Sequence, residues 1–116
     1  MKGRTPTASE KEFMNDIANI GCIVCRNNGI ENDSVSIHHM DGRVKTGCHY
    51  YVLPLCARHH QYADTKKPKR WYSLHGDGKA AFGQHHGTES ELYMQCLEIL
   101  SEEMLIDDAK KSELAL

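Results

Sequence analysis

Leu53-Pro54-Leu55-Cys56-Ala57-Arg58-His59-His60 is the stretch that decides the fold. Its start suits a short strand, Pro54 limits that strand, and a helix can begin near Cys56. Cys56 and His59 form a knuckle whose two side chains can grip one ion. Upstream, Cys22-Ile23-Val24-Cys25 forms a second knuckle. Together they supply three thiolates and an imidazole, the ligand set that tetrahedral Zn²⁺ prefers. The plain alternative is a group of buried core cysteines. A redox Cys-x-x-Cys is disfavoured because no βαβ pattern surrounds it.

Outward from the zinc knuckles lie three further histidines. His38 and His39 close a segment, Ser34 to His38, in which Val35 and Ile37 alternate as in a strand. Adjacent strand residues point to opposite sides, so one imidazole can bind a metal while its neighbour faces a substrate water. His60 follows His59 on the helix and points roughly 100° away from it, free to serve a second site.

The chain has 116 residues, which is room for one domain and a modest core. Five cysteines are an odd number, which with the Cys-x-x-Cys spacing points to metal rather than disulfides. No signal peptide or membrane span is read, and reduced thiols suit a cytoplasmic protein. A net charge of −2 excludes a globally basic nucleic-acid coat. Local clusters can still meet phosphate: Lys66, Lys67, Lys69 and Arg70, with Arg43 and Lys45 earlier. Half of the acidic residues lie between Glu89 and Glu113, and a solvated surface explains such a split equally well.

The expected architecture is α+β, one unit over residues 1–116, with 1–7 a flexible lead-in and 107–116 a frayed tail. Thr7 and Glu10 form a capping-box pattern ahead of a helix carrying Phe13, Ile17 and Ile20, which Gly21 can stop. Asp41-Gly42 signals a turn, and a returning strand is expected within Tyr50 to Leu55. A short helix is expected over 57–63. Asp77 is expected to cap another helix through Phe82, with Gly87 beyond its end. Thr88 and Glu91 form a second capping box ahead of Leu92, Cys96, Leu97, Leu100 and Met104 at helical spacing. Cys96 is read as core, Cys48 as a partly buried thiol, and His85 and His86 as helix-end residues. Trp71 and Tyr72 suit either base stacking or core packing.

The ordered set of Cys22-x-x-Cys25, His38-His39 and Leu53-Pro54-Leu55-Cys56-x-x-His59-His60 resembles HNH (ββα-metal) endonucleases that carry a structural zinc. Ile37-His38-His39-Met40-Asp41-Gly42-Arg43, Leu74-His75-Gly76 and Gly87-Thr88 look more closely like the phage recombination-enhancement (Ref) nucleases. The resemblance covers roughly residues 10–100. It implies a zinc-stapled ββα-metal core with flanking helices, cutting DNA held by a RecA filament in a bacterial host, with a phage or prophage origin.

The resemblance assigns Cys22, Cys25, Cys56 and His59 to the structural zinc and His39 to the general base. It assigns His38 and His60 to a catalytic Mg²⁺, Mn²⁺ or Zn²⁺. The last ligand is His75, from its place in Leu-His-Gly, with Asp64 the rival. Arg43, Lys69 and Arg70 are the candidate DNA contacts. One departure stands out. The asparagine that orients the base in HNH enzymes falls at Tyr51, leaving His49 or a backbone carbonyl to substitute. That departure favours the rival reading, a catalytically silent zinc module that binds nucleic acid or protein.

Overall fold

The computed structural model describes residues 3–62 and 67–114, with side chains to residue 103. Asp64, Lys66 and the last residue of the helix expected over 57–63 fall outside the described residues, as does the side chain of Met104. The architecture is α+β: six helices and a two-stranded sheet among the described residues.

Helix α1 spans Ala8–Asn19 and begins in a complete capping box. The Thr7 hydroxyl accepts from the Glu10 amide, and the Glu10 carboxylate accepts from the Thr7 amide. Gly21, at φ +82°, turns the chain out of this helix. A Cβ there would stand 2.9 Å from the Asn32 carbonyl, so only glycine fits the close approach. The first knuckle follows as the single-turn helix α2, Ile23–Asn27.

Strand β1, Ser36–His39, pairs antiparallel with β2, Val52–Leu55, in the register His38 with Leu53 and His39 with Val52. Both strands start later than the sequence suggests. Asn32 accepts the Ser34 amide in a local turn, and Cys48–Tyr50 wind into a 3-10 turn before β2. Pro54 sits within the buried β2 without breaking a bond. The Met40 amide donates to the Tyr51 carbonyl, and alternation from that pair places Pro54 opposite Ile37 at a non-hydrogen-bonded position.

Helix α3, Ala57–Gln61, follows β2 directly. Two short helices come next, α4 (Leu74–Asp77) and α5 (Lys79–His86). Here the sequence expectation for Asp77 is corrected. Ser73 caps α4 by accepting the Gly76 amide, and Asp77 closes that helix, its carboxylate taking the Ser73 amide and pairing with Lys67. Helix α5 starts after Gly78 and ends before Gly87. Helix α6, Glu89–Leu114, opens with the Thr88–Glu91 capping box and continues past Asp107.

The core joins Ile17, Ile23, Val52, Leu53, Leu55, Leu74, Phe82, Leu92 and Cys96, so α1 and α6 pack against β2. Burying these side chains supplies the driving force, at about 25 cal/mol per Å² of apolar surface. Residues ahead of α1 are anchored too: the Arg4 amide donates to the Arg43 carbonyl and its Nε to the Val44 carbonyl. No helix among the described residues is long and apolar enough to cross a membrane.

Candidate functional site

Cys22, Cys25, Cys56 and His59 converge in the interior, all four buried. His59 Nδ1 lies 3.5 Å from Cys22 Sγ, 3.4 Å from Cys25 Sγ and 3.4 Å from Cys56 Sγ. Cys25 Sγ and Cys56 Sγ are 3.8 Å apart. A tetrahedron with Zn–S of about 2.3 Å and Zn–N of about 2.0 Å has edges of about 3.8 Å (S···S) and about 3.5 Å (S···N). The donor atoms therefore fit a zinc-sized ion, and the cluster can hold a metal such as zinc. Hydrogen bonds from Cys22 and then His59 hold the Cys56 thiol low, while Cys22 is pushed up as its partner.

The shell around it aims the imidazole. His59 Nε2–H donates to the Arg70 carbonyl at 2.7 Å, which leaves Nδ1 with the lone pair turned to the sulfurs. Trp71 stacks on the His59 ring at 4.9 Å, and Arg58 lies 4.2 Å over Trp71. His86 packs edge-on against His59 and donates to the Tyr72 carbonyl; burial lowers its pKa to about 4, so it stays neutral beside the cluster. Trp71 and His86 thereby serve as packing around the knuckles.

A second cluster opens to solvent. Ligand atoms of His38, His60 and His75 lie within 4.8 Å of one another. They line a cleft of about 460 Å³ together with His39, Arg43 and Gln61. Three elements converge there: β1 brings His38, α3 brings His60, and α4 brings His75. Gly76 explains the approach of α4. A Cβ at that position would collide with the Ser73 hydroxyl and the Tyr62 carbonyl at the end of α3. Only a glycine lets His75 come within 4.8 Å, ring to ring, of His60.

His38 and His60 each have one ring nitrogen held by the protein. His38 Nε2 lies 2.6 Å from Glu89 Oε1. The Ser36 hydroxyl donates to the Leu55 carbonyl and accepts from His60 Nδ1 at 3.0 Å. The opposite nitrogen of these two rings keeps its lone pair. Burial lowers the pKa of both His38 and His60, with neighbouring histidines adding to it and Glu89 opposing it at His38. Glu89 is the residue that sequence reasoning missed. The sequence placed it only at the start of the acidic stretch from Glu89 to Glu113.

His39 faces a different set of groups, as strand alternation requires. Its Nε2 lies 2.9 Å from His49 Nδ1, and its own Nδ1 is buried without a hydrogen-bond partner. Burial, then Arg43, His49 and His38, lower the His39 pKa, while the Ile37 carbonyl raises it. Tyr51 turns outward instead, its ring 5.9 Å from Tyr93, and takes no part in the cleft.

Of the basic residues, Arg43 lines the cleft, whereas Lys69 and Arg70 occupy an exposed 3-10 turn, Lys69–Trp71, beside the cysteine cluster. Cys48 is fully buried, not half-buried as the sequence suggested, and belongs to neither cluster. Cys96 lies in the core as expected.

A protein-family model described as recombination enhancement, RecA-dependent nuclease matches residues 6–101, a span that contains both clusters and the helices that hold them. The chain belongs to the family of recombination enhancement, RecA-dependent nucleases.

Proposed function

We propose that the chain is a metal-dependent HNH (ββα-metal) endonuclease that hydrolyses phosphodiester bonds in DNA held by a RecA filament. One observation carries this reading: three imidazoles converge on a common point in an open cleft that His39 also lines. The order β1, β2, α3 around that cleft supports a ββα reading, and the family's description supports RecA and nuclease activity.

In this reading Cys22, Cys25, Cys56 and His59 hold a structural Zn²⁺ that keeps α3 against the hairpin. His38, His60 and His75 hold the catalytic cation. An all-imidazole set favours Zn²⁺ over Mg²⁺, which prefers oxygen ligands. When bound, that cation polarises the phosphate and stabilises the leaving 3′ oxygen. His39 Nδ1 accepts a proton from water while the water oxygen bonds to phosphorus. The phosphorus–3′-oxygen bond breaks, and the leaving oxygen takes a proton from solvent. The lowered pKa keeps His39 neutral and able to accept at cellular pH. Arg43 steadies the phosphate at the cleft, and Lys69 and Arg70 meet the backbone farther out.

A zinc module that only binds has no use for the second cluster. A cleavage assay with RecA and ATP, supplied in turn with Mg²⁺, Mn²⁺ and Zn²⁺, separates the two readings. Wild type should cut and His39→Ala should not. Full cutting by His39→Ala would remove the assigned base.

A further inference from the structure

We infer that His49 is the positioning residue of this centre, and that it fixes the protonated nitrogen of His39 through a chain of hydrogen bonds ending on the backbone of Arg4. The inference rests on the nuclease reading above and adds the group that takes over from the asparagine absent at position 51.

The chain of bonds has one fixed end. The Arg4 carbonyl lies 2.7 Å from His49 Nε2 and can only accept. His49 Nε2 therefore carries a hydrogen, and a ring with its single hydrogen there presents a lone pair at Nδ1. That lone pair faces His39 Nε2 at 2.9 Å, which must then carry the hydrogen between them. His39 Nδ1 is left as the unprotonated nitrogen, and it is the one buried side-chain nitrogen or oxygen without a protein partner among the described residues. Leaving such an atom unpaired is costly unless a ligand or water uses it.

The surroundings are built to hold this arrangement. His49 is buried, and its ring meets that of His39 edge to face at 5.0 Å. Gly47, at φ +76°, leads into the 3-10 turn that swings His49 under β1. Arg4, the acceptor, is itself fastened to the loop carrying Arg43 through the carbonyls of Arg43 and Val44. The segment ahead of α1 thus joins the base, its orienting partner and the Arg43 loop in one network.

The test compares His49→Ala and His49→Gln with wild type in the zinc-loaded full chain, using RecA-dependent DNA cleavage. His49→Ala should lower kcat about 10- to 100-fold while KM for DNA holds, as expected for a residue that orients another. His49→Gln, whose amide oxygen can accept the His39 hydrogen, should recover most of the loss. Nitrogen NMR of wild type should find His39 protonated at Nε2 and bare at Nδ1, a readout that needs no variant to fold. A wild-type His39 protonated at Nδ1, or a His49→Ala enzyme as fast as wild type, overturns the inference. If His39→Ala is inactive while His49→Ala cuts normally, only this inference fails; if both cut normally, the nuclease reading fails with it.

Discussion

His38 Nε2 and Glu89 Oε1 lie 2.6 Å apart, joining the end of β1 to the first turn of α6 across the histidine cleft. Glu89 also faces Lys79 at 3.5 Å, so its carboxylate is held from both sides. A carboxylate behind a metal-binding histidine fixes the ring and raises its basicity. On the proposed mechanism, Glu89→Gln is therefore expected to weaken cation binding at the histidine cleft about 10- to 100-fold. Cleavage rate measured against metal concentration reads this directly. An unchanged half-saturating concentration would show that the contact is only structural.

The cysteine cluster carries a larger share of stability. Cys56 and His59 join α3 to the knuckle of α2, and metal binding to such a set is largely folding free energy, of order 10 kcal/mol. With zinc at the proposed structural site, Cys56→Ala is expected to lose the metal and, with it, cooperative unfolding. Elemental analysis and a circular-dichroism melt check both. Zinc retained at one per chain in Cys56→Ala would displace that residue from the ligand set.

Arg43 is exposed at the mouth of the cleft. A single phosphate contact predicts weaker DNA binding for Arg43→Ala and a salt slope shallower by about 1. The double change of Lys69 and Arg70 to Ala should lower affinity while leaving kcat intact, because neither lines the cleft. Binding titrations at several salt concentrations decide between these outcomes.

Burial pushes the Cys96 thiol up to about 12 from its usual 9.0. The unfolded chain therefore gives up this proton first as pH rises, so ν_U falls below ν_N and stability declines above pH 9. The advantage of wild type over Cys96→Ala should be complete at pH 8 and smaller by about 2 kcal/mol at pH 10.5. Urea midpoints at the two pH values test the sign. A constant difference would place the thiol in a wetter environment.

Much of this was legible in the residues because the governing interactions are local or carry fixed stoichiometry. Both capping boxes act within four residues, and Gly21 announces its own turn. The pairs Cys22 with Cys25 and Cys56 with His59 sit at spacings that bring two donors to one ion, whatever surrounds them. The sequence therefore determined the α+β class and the four residues of the buried cluster. The family membership, too, follows motifs spread along residues 6–101. Tertiary packing alone decided the rest. Nothing in the chain order announces that Glu89 meets His38, or that the Arg4 carbonyl meets His49, since each pair is distant in sequence and joined only by how helices settle on the hairpin. Hydrogen bonds of that kind are chosen by burial, where an unpaired polar atom is costly, and burial is a property of the assembled fold.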